Sequence, residues 1–398
     1  MRVAVVCTDP GVPVFGTKGA SVHLQAVLRE LLAAGHAVHV ASPRLDGEPL
    51  PGLHLHPLPP VTGRDAGRER SAQVTDAAAA AVLDRVAPDL VYERYSLWGR
   101  TATAWAHVRR VPSVLEVNAP LPEEQARHRT LHDRAGAERV AVEALTAACA
   151  VVCVSEAVAG WARSLSLRPE SVHVEPNGVD TDRVRPSGRP PAPATGSTFT
   201  VGFVGTLRPW HGAELLVDAV ARLATADPTW RLLLVGDGPT ADALRARAAD
   251  AGVPGALQLT GALPPAAVPA QLARMDVGVA PYPAGEAYFS PLKVFEYLAA
   301  GLPVVATGVG QLPAVLGGTP PLGVLVPPDD VDALAAALAA LRADPAERAR
   351  LAAAGRRAAV RRHTWRDVVR RSVGYALAGA AAERAADRPS RSPAGSRG

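Results

Sequence analysis

The sequence predicts an α/β protein with two doubly wound domains that face each other across a crevice. Short apolar strand patterns alternate with amphipathic helix patterns in both halves of the chain. A Pro/Gly/Ser-rich stretch, RVRPSGRPPAPATGST, interrupts this alternation once. The chain has 398 residues, 48% of them hydrophobic and 20% charged, which is enough for two separate cores.

The N-terminal domain is predicted over residues 1–184. It begins with the strand RVAVVC, a Gly-rich loop, the helix SVHLQAVLRELLAAGH and the strand AVHVAS, a unit typical of parallel sheets. The same alternation continues with the strands DLVYER, PSVLEVN, AVVCVS and SVHVEP, which are separated by helices. Residues 185–198 are the predicted linker.

The C-terminal domain is predicted over residues 199–358, with the strands FTVGFVG, WRLLLVGD, LQLTG, DVGVAPYP, PVVAT and GVLVP. Ligands bind such sheets at the carboxyl ends of the strands, so two facing domains offer two such edges. A helix over 359–380 is predicted to pack back on the N-terminal domain. The Ser/Pro/Gly/Arg-rich residues 381–398 are predicted to be disordered.

Composition narrows the classes of function. The net charge is +4 and only 4% of the residues are aromatic, so a nucleic-acid stacking platform is not indicated. The odd number of cysteines, three, and their apolar surroundings predict buried thiols in a reducing compartment. No apolar run reaches the roughly 18 residues that span a bilayer. We therefore predict a cytoplasmic protein. The basic stretch GRRAAVRRHTWRDVVRR is either a peripheral contact with the inner membrane face or a solvated helix.

The stretch FSPLKVFEYLAAG combines several polar groups that could bind a ligand at the start of a predicted helix. Ser290 is predicted to be the N-cap of a helix and Pro291 its first residue. The free N–H groups of Leu292 and Lys293, together with the lysine charge, predict an anion site. Glu296 lies one turn later on the same face, where it can bind hydroxyl groups. An ordinary capped helix with a surface Lys–Glu pair is the alternative.

Two loops carry further candidate phosphate ligands. In VGFVGTLRPWHGAELL, Arg208 can make a bidentate contact to a phosphate and His211 can donate to it. Solvated charges in a helix-capping turn are the alternative. In FGTKGASVH, Gly16 and Gly19 allow the backbone to approach a ligand at the start of the first helix. This loop is neither a dinucleotide fingerprint nor a P-loop.

Together these motifs resemble family 4 of the glycosyltransferases, which have the GT-B fold of two Rossmann-like domains. The resemblance covers nearly the whole chain and rests on VGTLRPWHG, LLLVGDGP, TGALPPAAVPAQLARMDVGVAPY, FSPLKVFEYLAAGLPVVA and VEPNGVD. It implies a retaining enzyme that needs no metal and no cofactor. Such an enzyme moves a sugar from a nucleotide diphosphate sugar on the C-terminal domain to an acceptor on the N-terminal domain. The acceptor can be a glycan, a lipid-linked sugar or a small molecule.

The resemblance also assigns residues. Glu296 matches the second glutamate of the family's E-x7-E motif, which binds the donor ribose, whereas the first glutamate falls at Tyr288. His211 occupies the lysine position of the phosphate clamp, and Arg208 lies two residues beyond its arginine position. A PWHG…FSPLK subset shares these departures. The catalytic candidates are Arg208, His211 and Glu296. The donor-binding candidates are Gly16, Gly19, Arg208, Gly261, Leu263, Tyr288, Ser290, Leu292, Lys293 and Glu296.

The acceptor side is predicted from one strand end. LEVNAP places Glu116 and Asn118 at the carboxyl end of a strand, which makes them the acceptor-binding candidates. Glu123, Glu124 and His128 on the next helix are weaker candidates, because a charged helix face is usually solvated.

The resemblance implies that Arg208, His211, Lys293 and the helix N–H groups stabilise the leaving diphosphate, whose oxygen takes the proton of the acceptor. Three alternatives stay open at this point: a GT-B sugar-nucleotide epimerase, a sugar phosphorylase and a non-catalytic nucleotide-sugar binding protein. The missing first glutamate favours the last of them. The nucleotide, the sugar, the acceptor and the oligomeric state are left open.

Overall fold

A computed structural model of the chain describes residues 1–188, 196–285 and 288–386. Two parallel sheets organise this part of the chain, one in each half. The N-terminal strands are β1 (Arg2–Cys7), β2 (Ala37–Ser42), β3 (Leu53–Pro57), β4 (Leu90–Arg94), β5 (Ser113–Val117), β6 (Ala150–Cys153) and β7 (Val172–Val174). Their order in the described part of the sheet is β3-β2-β1-β4-β5-β6-β7.

The C-terminal strands are β8 (Phe199–Val204), β9 (Trp230–Val235), β10 (Leu257–Leu259), β11 (Val277–Ala280), β12 (Val304–Thr307) and β13 (Val324–Val326). Their order is β10-β9-β8-β11-β12-β13. The first strand of each half lies inside its sheet and the chain winds outwards in both directions, which confirms the predicted doubly wound α/β class.

Helices cover both sheets. Those of the N-terminal half are α1 (Gly19–Ala33), α2 (Asp65–Ala77), α3 (Ala79–Val86), α4 (Thr101–Arg109), α5 (Leu121–His128), α6 (Arg134–Ala147) and α7 (Glu156–Leu165). Those that follow are α8 (Ala213–Ala226), α9 (Ala241–Asp250), α10 (Val268–Leu272), α11 (Leu292–Ala299), α12 (Leu312–Leu316), α13 (Val331–Ala343), α14 (Pro345–Arg362) and α15 (Trp365–Ala386).

The composition of β1 explains why helices lie on both faces of its sheet. Successive side chains of a strand point to opposite faces. Val3 and Val5 pack into one hydrophobic cluster with Leu24 of α1, whereas Ala4 and Val6 pack into another with Leu83 of α3. Because β1 is apolar at every position after Arg2, it is buried on both sides, as is usual in parallel sheets.

The chain crosses between the domains earlier than the predicted linker. Val179 and Val184 already pack in the core of the C-terminal domain, although they fall within the predicted N-terminal domain 1–184. The return crossing runs beside the first, because Val179 N–H donates to the His363 carbonyl at 2.7 Å and Trp365 N–H donates to the Val179 carbonyl at 3.3 Å. Residues 189–195 of the predicted linker 185–198 lie outside the described residues.

The predicted helix over 359–380 differs from the one observed. Residues 359–362 are the end of α14, and a new helix begins after Thr364. The Thr364 hydroxyl donates to the Asp367 carboxylate at 2.7 Å and accepts from the Asp367 N–H at 3.1 Å, so this pair caps α15. Helix α15 packs on α1, β5 and β6 of the N-terminal domain.

Helix α15 also extends further than predicted. Residues 381–386, predicted to be disordered, form its last turns. They are held because Glu383 pairs with Arg168 of the N-terminal domain and Ala380 is buried. Residues 387–398 of the predicted tail lie outside the described residues. Among the helices that are described, none combines the length and the apolarity needed to cross a bilayer.

Candidate active site

A cavity of about 500 Å³ lies between the two domains, at the carboxyl ends of β8 and β9 and at the start of α11. We call it the interdomain cavity. The loop before α1 forms its N-terminal wall. Its lining includes Thr17, Lys18, Gly19, Gly205, Thr206, His211, Asp237, Ala262, Leu263, Pro265, Val268, Tyr282, Phe289, Ser290, Leu292, Lys293 and Glu296.

Lys293 is the buried cation of this cavity. The residue is only 7% exposed, and its Nζ lies 4.0 Å from the ring centroid of Phe203 and 4.9 Å from that of Tyr282. Within the part of the chain that the structure describes, this amine has no hydrogen-bond partner. Burial lowers the pKa of Lys293 to about 7, against the opposing effect of Glu296. Such an amine favours a ligand that brings a hydrogen-bond acceptor to it.

Gly205 keeps the space beside this amine open. Its φ of 145° lies in the region that favours glycine, and a Cβ there would stand 3.3 Å from the Lys293 Nζ. A side chain at this position would occupy the place of a ligand.

Ser290 lines the cavity but is not the N-cap of α11. The helix begins at Leu292, and Pro291, with extended backbone angles, takes the cap position. The Ser290 hydroxyl accepts the N–H of Asn177 at 2.9 Å, and Asn177 Nδ2 donates to the Ser290 carbonyl at 2.7 Å. The hydroxyl therefore does not cap α11. It joins the residues before α11 to Asn177, which lies just before the chain crosses between the domains.

Glu296 follows Lys293 on the cavity wall, and its side chain is 18% exposed. Burial raises its pKa, against the pull of Arg183 and Lys293. Arg183 Nη2 lies 3.7 Å from Glu296 Oε1, and Arg183 Nη1 donates to the Pro265 carbonyl at 2.7 Å. Arg183 is not among the residues predicted from the sequence, although it lies close after the motif VEPNGVD.

The structure makes His211 a neutral side chain. Its Nδ1 contacts the Thr206 carbonyl, which can only accept, so Nδ1 carries the proton. Burial, and next the charge of Lys293, lower the pKa of His211 to about 4. Its Nε2 is therefore a hydrogen-bond acceptor in the free protein, so the predicted role as a donor to phosphate requires the ring to take up a proton when the ligand binds.

The structure does not bring four of the donor-side candidates into the cavity. The Arg208 side chain is exposed, with its guanidinium 5.3 Å from the ring centroid of Trp210. Gly16 lies in a turn in which its N–H donates to the Pro13 carbonyl, and Gly261 precedes the lining residue Ala262. The fourth is Tyr288, which reaches the N-terminal domain.

Tyr288 belongs to the C-terminal domain but binds the other one. Its hydroxyl donates to Glu124 Oε2 at 2.7 Å, and the Ser155 hydroxyl donates to its carbonyl. It packs against an N-terminal hydrophobic cluster that includes Tyr95 and Val117. The residue at the position of the family's first glutamate thus lies outside the lining of the interdomain cavity and is bonded to the N-terminal domain.

The two acceptor-side candidates lie in a buried network. Glu116 is 2% exposed, and its carboxylate accepts from His23, Tyr92, Arg94 and Asn118 at 2.6–2.9 Å. Burial opposes its ionisation, but His23 and Arg94 hold its pKa well below the usual range. Because these four partners use the carboxylate fully, the structure gives Glu116 the role of joining α1, β4 and β5.

A second cavity, also of about 500 Å³, opens at the carboxyl ends of β1 and β4. We call it the N-terminal cavity. Trp98, Leu97, Val61, Ala72 and Leu121 supply apolar walls, and its polar lining includes Thr8, Asp9, Asp65, Arg68, Glu69, Ser96, Glu124, Gln125, Arg129 and His132. Glu124, a weaker candidate in the sequence, is part of this wall, whereas Glu123 accepts from Trp161. The described residues contain no group of three or more His, Cys, Asp or Glu that could hold a metal ion.

Two family models match the chain. The model of glycosyltransferase family 4 matches residues 17–183, and that of the glycosyl transferases group 1 matches residues 198–344. The first match covers β2 to β7 of the N-terminal sheet, and the second covers all six described strands of the C-terminal sheet.

Curated relatives match over part of their length. The GDP-mannose-dependent α-(1-6)-phosphatidylinositol monomannoside mannosyltransferase of Mycolicibacterium smegmatis is 34% identical over 203 residues, which are 48% of this chain and 52% of that protein. The 2-deoxystreptamine glucosyltransferase of Streptomyces kanamyceticus is 33% identical over 212 residues, which are 51% of this chain and 54% of that protein. The chain thus spans about half the length of the curated relatives it matches.

Solved structures match over nearly the whole chain. Sucrose-phosphate synthase from Thermosynechococcus elongatus has a TM-score of 0.73 and 20% identity, and covers 98% of this chain and 100% of its own. HepE from Anabaena, solved in complex with UDP, has a TM-score of 0.70 and 19% identity, and covers 95% of this chain and 100% of its own. These likenesses show that the fold is GT-B.

Proposed function

We propose that the chain is a member of family 4 of the glycosyltransferases, because two glycosyltransferase models match its two halves, and that it transfers a sugar from a nucleotide diphosphate sugar to an acceptor. The observation that carries the proposal is the buried amine of Lys293, which faces the interdomain cavity without a hydrogen-bond partner among the described residues. A diphosphate supplies the acceptor oxygens and the negative charge that this amine lacks.

In this proposal the donor lies along the interdomain cavity, with its diphosphate, ribose and nucleobase on successive parts of the cavity wall. The diphosphate lies against Lys293 and the N-terminus of α11, where the helix dipole favours an anion. Glu296, one turn further, binds the ribose hydroxyls. The nucleobase then lies against Leu263 and Val268 on the same wall. HepE, which shares the fold and was solved with UDP, supports a nucleotide ligand.

His211 and Arg208 act differently from the usual clamp. His211 Nε2 accepts a hydrogen bond from a hydroxyl of the donor, because the neutral ring has no proton to give there. Arg208 reaches the leaving diphosphate only after the loop that follows β8 has moved, since its guanidinium lies outside the cavity lining. The main cation on the diphosphate is then Lys293.

The acceptor binds in the N-terminal cavity, and the reaction retains the anomeric configuration. The bond between the sugar and the diphosphate oxygen breaks, and that oxygen takes the proton of the acceptor hydroxyl. The acceptor oxygen then bonds to the sugar on the same face from which the diphosphate leaves. Closure of the domains removes water from this space and limits hydrolysis. We further propose that no metal takes part and that the protein works in the cytoplasm, where its three buried cysteines stay reduced.

The test starts with donor binding. Thermal unfolding is measured with GDP-mannose, UDP-glucose and dTDP-glucose, because a ligand that binds the folded state raises its stability. Lys293→Met should abolish the rise without lowering the melting temperature of the free protein, since it removes a buried amine that has no hydrogen-bond partner among the described residues. Lys18→Met is the matched control, because Lys18 is an exposed lysine at the rim of the same cavity.

Transfer is then assayed with the acceptors named for the relatives, a phosphatidylinositol mannoside and 2-deoxystreptamine, and the anomeric configuration of the product is read by NMR. Glu296→Ala should weaken binding of the nucleotide sugar about 10- to 100-fold and leave the affinity for pyrophosphate unchanged, since the ribose contacts alone are lost. Absence of binding by any nucleotide sugar would refute the function. Equal loss for pyrophosphate would move Glu296 away from the ribose.

A further inference from the structure

The segment 288–290 lies between the two cavities and is bound on the N-terminal side. Phe289 and Ser290 line the interdomain cavity. Gln311 Nε2 donates both to the Phe289 carbonyl at 3.1 Å and to the carbonyl of Val154, in the N-terminal domain, at 3.4 Å. Together with the Asn177–Ser290 pair, these bonds fix a wall of the interdomain cavity to the N-terminal domain, which contains the N-terminal cavity.

Tyr288, the first residue of this segment, extends the connection into the N-terminal cavity. Its hydroxyl is 2.7 Å from Oε2 of Glu124, and Glu124 is part of the wall of that cavity. The Ser155 hydroxyl binds the Tyr288 carbonyl, so backbone and side chain are held by the same domain. Donation by the phenol orients the Glu124 carboxylate, which otherwise has several rotamers.

We propose that Glu124 binds a hydroxyl group of the acceptor and that Tyr288 is the residue that positions it. The inference rests on the proposed function, in which the N-terminal cavity holds the acceptor. The ligand class is a polyhydroxylated molecule, because a carboxylate oriented by one donor accepts further hydrogen bonds from hydroxyl groups. Tyr288 therefore acts on the acceptor, although its sequence position is that of a donor-sugar residue in the family.

The charge of Glu124 explains why a tyrosine suits this position. A glutamate at position 288 with the same backbone would bring a second carboxylate towards Glu124, and like charges in a partly buried place repel. The phenol supplies a proton donor, and the residue packs against the N-terminal hydrophobic cluster that includes Tyr95 and Val117. The same contact makes the acceptor wall depend on the donor wall, since a donor that orders the segment 288–290 also orders Glu124.

The test uses Tyr288→Phe, which removes the hydroxyl and keeps the ring, with Glu124→Gln and the double variant. Tyr375→Phe is the matched control, because the Tyr375 hydroxyl also donates to a glutamate, Glu175, at 2.9 Å but lies outside both cavity linings. Hydrogen exchange of helix α5, residues 121–128, is measured in the free protein and with UDP-glucose or GDP-mannose.

In the free protein, Tyr288→Phe should raise the exchange of α5 several-fold and Tyr375→Phe should not. Adding Glu124→Gln to Tyr288→Phe should cause little further change, because without the Tyr288 hydroxyl no bond is left for the change at Glu124 to weaken. Nucleotide sugar should protect α5 in the wild type and not in Tyr288→Phe. In transfer assays of Tyr288→Phe, KM for the acceptor should rise about tenfold relative to the wild type. Its KM for the donor and its rate of donor hydrolysis by water should stay within about twofold of the wild-type values.

Two results would overturn the inference. One is α5 exchange in Tyr288→Phe that equals that of Tyr375→Phe. The other is a selective loss of affinity for UDP-glucose relative to UDP in Tyr288→Phe, which would mean that Tyr288 contacts the donor sugar. Failure of the proposed function is a different result: no nucleotide binds the wild type, while the exchange difference between the free variants remains.

Discussion

At the scale of single residues, the charge of the candidate site is concentrated in Lys293. The sequence predicted three cationic ligands for the diphosphate, but Arg208 is exposed outside the cavity and His211 is neutral. Burying an amine without a hydrogen-bond partner destabilises the free protein, and a bound anion offsets this cost. Lys293 is therefore expected to favour an anionic ligand, and perturbed ionisable groups of this kind are common at functional sites.

Lys293 should give donor binding a pH dependence. Its pKa of about 7 in the free protein rises when an anion binds, so affinity is greatest below pH 7, where the amine is already protonated. Above pH 7 the affinity should fall by up to about tenfold per pH unit until the raised pKa is reached. Calorimetry with UDP-glucose from about pH 6 to about pH 8.5 measures this, because its diphosphate has no ionisation in that range.

The control for this prediction is Lys293→Arg, in which the cation stays charged at every pH used. Its affinity should vary little over the range, and His211→Ala should keep the slope of the wild type. A slope that survives in Lys293→Arg and disappears in His211→Ala would assign the titration to the histidine.

At the scale of elements, two helices decide how the domains are joined. Helix α11 presents Lys293 and Glu296 to the cavity while the residues just before it bind the N-terminal domain. Helix α15 follows the return crossing and lies on the N-terminal sheet, where Arg371 donates to both carboxylate oxygens of the buried Glu175 at 2.7–2.9 Å. This ion pair fixes α15 to the end of β7.

Arg371→Ala should lower the free energy of unfolding by about 2–3 kcal/mol, because it leaves the Glu175 carboxylate buried with Tyr375 as its remaining partner. The estimate lies below that for fully buried pairs because the Arg371 side chain is 33% exposed. Arg370→Ala is the control. The Arg370 side chain, next to Arg371 in the sequence, is 71% exposed and pairs with Asp367, so its removal should lower the free energy of unfolding by less than about 0.5 kcal/mol. Urea unfolding followed by circular dichroism measures both, and equal effects would contradict the prediction.

At the scale of the whole molecule, the two cavities lie at the carboxyl ends of two parallel sheets whose domains are connected by paired crossings. The N-terminal cavity has apolar walls beside charges of both signs, and the interdomain cavity contains the buried lysine. The segment 288–290 touches both domains. This arrangement can bring an acceptor to a donor while the same closure excludes water.

Sugar transfer should not require a divalent metal. The positive charge needed by the leaving diphosphate is available from Lys293 and the start of α11. Dialysis against a chelator should leave the transfer rate within about twofold of the untreated rate, and added manganese should not raise it, because its Lewis-acid role is already filled. Activity that is lost with the chelator and restored by manganese would contradict the prediction.

The sequence by itself determined the class of the fold and the elements that carry the donor site. Apolar runs predicted the strands of both sheets except β3, whose pattern LHLHP alternates with histidines because it is a half-exposed edge strand. The FSPLKVFE stretch predicted that Lys293 and Glu296 lie at the start of one helix, which is a local property of the chain.

Only the tertiary structure decided which way the other candidates face. Glu116 lies at a strand end as predicted, but its side chain is enclosed by partners from α1, β4 and the residue after β5. Tyr288 and Ser290 bind residues more than 100 positions away, Glu124 and Asn177. Periodicity and capping rules describe contacts within a few residues. The Lys293 amine lies beside Phe203 of β8, which is far away in the sequence, and the contacts of Tyr288 depend on a surface of the other domain.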